Sequence, residues 1–221
     1  MNSKEYFDTI RGVSLFDEIN GQDLEAILEC LKCEIKTVRK NEVILLAGEK
    51  PLYMGVVLAG MLHIIREDYD GNRTLVASAT SGDIFGEALC CAGVDESPVT
   101  VLAVDETTVM LLEYARIVRV CQSACGYHQK LIENMLHLVA SKNIFLQNRL
   151  EIMSIKSVRA KVLRYLETLA SKQGRNIVLP FNQTKLADYL CVERSALAHE
   201  LARMKKDGLI DYKRNAFTLT V

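Results

Sequence analysis

The sequence predicts an α+β chain: a small antiparallel β sandwich or barrel in front, one long helix, and a basic module of short helices behind. Three observations predict it. Seven of the twelve glycines lie between Gly48 and Gly93, where they punctuate short runs rich in β-branched residues. From Gly126 to Gly174 there is neither glycine nor proline between the two, so nothing interrupts a helix. Charge is also divided. From Ser154 onward there are 13 Lys and Arg against 6 Asp and Glu, net +7; the residues before hold 14 against 22, net −8, leaving −1 overall. A chain of 221 residues has room for two compact domains, or one large one.

Residues 1 to about 33 read as helical. Leu24, Ile27, Leu28 and Leu31 share one apolar face after an Asn20-Gly21 start signal, and Cys30 and Cys33 are expected to continue that face into the core. Strands are expected at Glu42–Leu46, Met54–Leu58, Leu62–Glu67, Thr74–Ala79, Val99–Val104 and Thr108–Glu113, with a hairpin turn at Asp70-Gly71. In the long helix, Ile132, Leu136, Val139, Asn143, Leu146, Leu150 and Met153 alternate at spacings of four and three. That is a coiled-coil seam, and its one polar member, Asn143, is a device that fixes register and partner number. A parallel homodimer is expected. A hinge at Met153–Ser157, a helix at Val158–Ser171 and a strand at Ile177–Phe181 follow. The expected domains are therefore 1–125, 126–153 and 154–221.

Asn182 to Lys206 reads as two short helices joined by a tight turn at Cys191-Val192. Asn182 or Thr184 can cap the first, whose apolar side is Leu186, Ala187 and Leu190. Leu197, Leu201 and Met204 recur at i, i+4 and i+7 and form the buried stripe of the second. Arg194, Ser195 and His199 then fall on other faces, among the small residues Ala198 and Ala202 that permit close approach to a groove. Arginine can donate two hydrogen bonds to a guanine edge, and serine reaches a base or a phosphate. Lys213-Arg214-Asn215 makes the basic tip of a following hairpin, completing a winged helix-turn-helix. Arg194, Ser195 and His199 are the expected base readers; Asn182, Gln183, Thr184, Lys213 and Arg214 are the expected backbone contacts.

The segment LADYLCVERSALAHELARMKKDGLI is similar to the helix-turn-helix signature of the cAMP receptor protein/FNR superfamily of bacterial regulators. Two positions depart from it. His199 stands where a second arginine is usual, and Cys191 where glycine usually makes the turn, which implies either a left-handed or an altered turn at a non-glycine residue. NEVILLAGEKPLYMGVVLAGMLHI resembles a segment of that family's cyclic-nucleotide-binding-like β-roll, and SGDIFGEA the start of its phosphate-binding cassette. The resemblance implies an effector site at Gly86, Glu87 and Ala88, continued by Ser97 and Pro98, with Gln147 of the long helix facing it. Gly86 would turn backbone amides toward an anion, and Glu87 would accept from a ribose hydroxyl.

A cyclic phosphate also needs a cation, and Ser97-Pro98-Val99 occupies the place of the family's arginine, beside Asp95 and Glu96. An unidentified small effector other than cAMP is therefore expected. Cys90, Cys91, Cys121 and Cys125 are candidates for a thiol, metal, haem or iron–sulfur sensor, a reading not favoured because buried cysteines are mostly inert. The expected partners are a pseudo-palindromic DNA operator, a second copy of the chain, RNA polymerase and that effector. The start of the chain, MNSKEYFDTI, mixes charge with apolar residues, no apolar run can span a bilayer, and no catalytic constellation occurs. A cytoplasmic, non-enzymatic regulator is expected; a regulatory subunit acting on a protein partner is the alternative.

Overall fold

The computed structural model describes residues 3–119 and 126–220. Its chain divides into two compact units, Met1–Ser141 and Lys142–Val221. In the first, a 3₁₀ turn and helix α1 (Phe7–Arg11) lead through a second 3₁₀ turn to α2 (Gly21–Leu31), whose start is capped by Asn20 accepting from the Asp23 amide. Leu24, Ile27, Leu28 and Leu31 are buried as the spacing predicts. Cys30 is a correction: it is exposed, and only Cys33 is buried. α2 stops at Leu31 and Lys32 turns left-handed, so Cys33 leaves the helical face altogether and enters the core at the approach to β1 (Glu34–Val38).

Seven further strands follow: β2 (Val43–Leu45), β3 (Tyr53–Ala59), β4 (Met61–Glu67), β5 (Arg73–Thr80), β6 (Ile84–Phe85), β7 (Thr100–Ala103) and β8 (Thr107–Glu113). They form two four-stranded antiparallel sheets, β1-β8-β3-β6 and β2-β7-β4-β5. The first sheet is covered on both faces, which the two-residue period of its strands makes visible. Met54, Val56 and Leu58 of β3, with Met110 and Leu112 of β8, enter a core shared with α1, α2 and the start of the long helix. Val57 and Val109 point the other way and meet Leu62, Ala79, Val101 and Ala103 of the second sheet. Gly55 has a packing reason: a Cβ there would lie 2.3 Å from the Phe85 ring. The short helices α3 (Glu87–Ala92) and α4 (Tyr114–Val118) follow β6 and β8 respectively.

Helix α5 (Gly126–Ser154) runs unbroken for 29 residues and contributes to both units. Its first turns belong to the front unit: Leu131 and Met135 join the front core, Tyr127 bonds to Asp23, Lys130 pairs with Glu18, and Asn134 donates to the Leu15 carbonyl at 3.0 Å. In the second unit α5 ends on Ile152, buried with α6 (Val158–Gln173), β9 (Asn176–Val178), α7 (Gln183–Leu190), α8 (Arg194–Lys206), β10 (Ile210–Lys213) and β11 (Ala216–Leu219). The three strands pair in the order β10-β11-β9. The strand expected through Phe181 ends at Val178, ahead of Pro180, whose missing N–H cannot extend the ladder. No helix among the described residues is long and apolar enough to cross a membrane.

Candidate nucleic-acid interface

Three segments of the second unit converge on one groove of about 740 Å³: the entry to α7 at Pro180–Thr184, Arg194 at the start of α8, and Arg214-Asn215 at the hairpin tip. Local rules explain the placement of each. Asn182 starts α7 by accepting from the Lys185 amide at 3.0 Å. Cys191 then takes the left-handed conformation, φ 51° and ψ 55°, and its N–H returns to the end of α7. That turn swings the chain into α8, which starts without a side-chain cap at Glu193, leaving its first-turn amides beside Arg194 and Ser195. Leu197, Leu201 and Met204 are buried, so Arg194, Ser195, Ala198, His199 and Ala202 are all exposed along the opposite side.

The wing is held by its backbone and by two side chains. Arg214 is left-handed at φ 57°, Asn215 donates to the Leu179 carbonyl at 2.9 Å, and Gln183 donates to the Arg214 carbonyl at 3.4 Å. Lys213 and Arg214 are exposed, as are Asn182 and Thr184; Gln183 is half-buried by its contact with the tip. Arg194 and Arg214 line the groove, and Lys185 and Lys213 are exposed in the segments that frame it, charges suited to a polyanion. Tyr165, Phe181 and Tyr189 form a cluster of three rings, with the Arg149 guanidinium 5.4 Å from the Tyr189 ring centre. Burial pushes the Tyr165 hydroxyl up to about 12.

In the front unit Gly86 starts α3 in a left-handed conformation, φ 76°, where a Cβ would come 3.2 Å from the Tyr53 carbonyl oxygen. Glu87 is buried, while Ala88 and Pro98 are exposed. Ser97 is buried with its hydroxyl donated to the Val99 carbonyl at 2.6 Å. Its backbone is pinned to the turn after β2: Gly48 donates to the Ser97 carbonyl at 2.9 Å, and Ser97 to the Glu49 carbonyl at 2.8 Å. Lys50 of that turn reaches Asp95 at 2.7 Å and holds its carboxyl below the ordinary range. Sequence reading missed this cation because 45 residues separate it from its partner. Gln147 is exposed on α5 in the other unit.

The thiols next to the cassette are poor ligands as they stand. Cys90 is buried, its thiol directed at the Pro51 carbonyl at 3.4 Å, and desolvation pushes it up to about 11. Burial raises Cys91 as well, and Cys33 to about 12. Among the described residues no three His, Cys, Asp or Glu side chains converge as a metal ion would require. Cys121 and Cys125 lie outside the described residues. Along α5, Leu136, Leu146 and Leu150 are 65%, 55% and 64% exposed, Asn143 is exposed between them, and Ile132 and Val139 are half-buried.

Comparison with known proteins divides the chain in the same sense. The family described as "Cyclic nucleotide-binding domain" matches residues 35–124, and that described as "Crp-like helix-turn-helix domain" matches residues 160–220. The "Putative HTH-type transcriptional regulator ycf28" of Porphyra purpurea is 25% identical over 142 residues, 64% of this chain and 56% of its own; this chain thus spans little more than half of that relative. Among solved structures, the catabolite activator protein of Thermus thermophilus superposes with a TM-score of 0.54 at 16% identity, covering 93% of each chain. CprK complexed with OCPA gives 0.62 at 16% identity, covering 89% of each chain. The c-di-GMP-responsive regulator CLP of Xanthomonas campestris gives 0.52 at 16% identity, covering 91% of this chain and all of that one. These likenesses show the fold.

Proposed function

Because the chain belongs to the Crp/Fnr superfamily of transcription regulators, we propose that it is a homodimeric, sequence-specific DNA-binding regulator switched by a small effector in its β-roll. The observation that carries this is the single groove into which the start of α7, the start of α8 and the hairpin tip all project. In this reading Arg194, Ser195 and His199 meet base edges in the major groove. Asn182, Gln183, Thr184, Lys213 and Arg214 hold the phosphates on either side. Two copies joined along the exposed seam of α5 would place their α8 helices about 34 Å apart, one helical turn of DNA, and so favour a pseudo-palindromic operator. RNA polymerase is the expected partner in turn, in a cytoplasmic setting that keeps the thiols reduced.

The effector is not cAMP in this reading. The hydroxyl of Ser97 is engaged with backbone, and Lys50, the nearby cation, is engaged by Asp95. Raised thiol values at Cys90 and Cys91 oppose thiolate ligation there, since the thiolate is the metal ligand. The family is one of regulators, not an enzyme class. The proposed switch is a two-state equilibrium in which effector binding to the β-roll is linked to the seam of α5 and through it to operator affinity.

The test is a binding isotherm on DNA. Selection from random duplexes should enrich one pseudo-palindrome, with affinity that falls steeply with salt. Arg194→Ala should cost about 1–3 kcal/mol on the selected site and relax specificity at one base pair per half-site. Equal losses on selected and random DNA would remove Arg194 from base reading.

A further inference from the structure

The helix that carries the base readers is gripped from behind by the N-terminal turn of α6. Arg159 sends Nε to Glu200 Oε1 at 2.6 Å and Nη2 to Asp207 Oδ2 at 2.8 Å. Glu200 lies in the middle of α8, its side chain only 16% exposed, and Asp207 is the residue that ends the helix. Anchors seven residues apart are about 10 Å apart along the axis. Together they fix both the rotation of α8 about its axis and its tilt. Two residues further along α6, Lys161 is 8% exposed and donates Nζ to the Leu190 carbonyl at 2.9 Å. Leu190 is the last residue of α7, and its carbonyl is one that the end of a helix leaves without an intrahelical donor.

Packing alone does not call for these groups. A buried ammonium costs more desolvation than a methionine of similar length, and an apolar residue would seal the same space. What the cations add is direction. Arginine holds two carboxylates in fixed directions from one planar group, a geometry that a lysine's point charge does not impose. None of the four side chains involved, Arg159, Lys161, Glu200 and Asp207, lines the groove.

We propose that Arg159 and Lys161 are positioning residues for sequence reading: they set the angle at which α8 presents Arg194, Ser195 and His199, and so govern discrimination between DNA sequences without touching DNA. This rests on the reading of α8 as the recognition helix. A rotation of a few degrees moves the tip of an arginine far enough to break a two-bond contact with a base, whereas phosphate contacts around the groove tolerate it.

The experiment uses the full chain and a duplex selected by the wild-type protein from a random pool, with a scrambled duplex of equal length as control. Arg159→Gln should weaken binding to the selected duplex about tenfold, the scale of one lost base contact, and leave the scrambled duplex within about twofold. Arg159→Lys keeps the charge but one anchor only, and should fall between. Glu200→Gln added to Arg159→Gln should cost little more than Arg159→Gln alone, because the contact that Glu200 makes to Arg159 is already gone. Lys161→Met, which keeps the volume but leaves the Leu190 carbonyl without its donor, should lower the thermal midpoint somewhat and lose discrimination while still folded; should Arg159→Gln fail to fold, Lys161→Met and Arg159→Lys carry the test. Folded variants that discriminate as the wild type does, or that lose selected and scrambled DNA alike, overturn the positioning role. Failure of the wild-type protein to enrich any sequence overturns instead the DNA-reading function on which the role rests.

Discussion

At the scale of single residues, burial sets the chemistry of the cysteines. Cys33 and Cys90 hold their protons more tightly than a free thiol, at about 12 and about 11 against an ordinary 9.0, because a thiolate would lose its water. The sign of the consequence follows. A folded-state value raised above the unfolded one contributes stability that is complete below pH 9 and is lost as pH rises through about 11 and then 12. Urea midpoints of the front unit should therefore drop between pH 9 and 11 more steeply in the wild type than in a Cys33→Ala/Cys90→Ala double variant. Equal slopes would assign the alkaline loss to other groups.

Elements of the helix-turn-helix show what a single turn residue costs. Cys191 is left-handed, a conformation that strains a side-chain-bearing residue by about 1–2 kcal/mol. Glycine relieves that strain but loses roughly 0.5–1 kcal/mol through a more disordered unfolded chain. Cys191→Gly should then stabilise the second unit by about 0.5–1 kcal/mol, read as a raised thermal midpoint with unchanged DNA specificity. A lowered midpoint would mean that the thiol, 3.7 Å from the Asp188 carbonyl, holds the turn more firmly than its strain opens it.

This turn was legible in the sequence, as were α5, both helices of the motif and most strands, because each is written in a local period or a local signal. β6 was not, since two residues carry no period, and β1 was passed over because EIKTV alternates only loosely between charge and apolar side chains. Of the interface, Arg194, the Asn182–Thr184 start and the hairpin tip were legible from spacing and resemblance. Arg159 with Glu200, and Lys50 with Asp95, were not: 41 and 45 residues separate these partners, and only the fold brings them together. Cys30 misled for the opposite reason. Its spacing extended an apolar face beyond the point where the helix has room to bury it.

At the scale of the molecule, α5 carries an apolar stripe that the described residues leave uncovered, with Leu136, Leu146 and Leu150 exposed and Ile144 and Phe145 beside them. Leu146→Lys combined with Leu150→Lys should leave both units folded yet yield monomers in sedimentation at micromolar concentration, because buried like charges would face each other across the seam. Operator affinity should fall with the lost partner, since each copy then holds a single half-site. Dimers that persist in that variant would place the contact between copies elsewhere.

Pairing along this stripe, as in the proposed dimer, would have an arithmetical consequence for how such a regulator is used. While most chains are single, the number of assembled pairs grows with the square of the number of chains, so doubling the supply quadruples the molecules able to occupy both halves of an operator. In the proposed dimer, copy number would then act as a second input alongside the proposed effector. A modest change in synthesis or turnover of the polypeptide can shift gene output with the effector held constant.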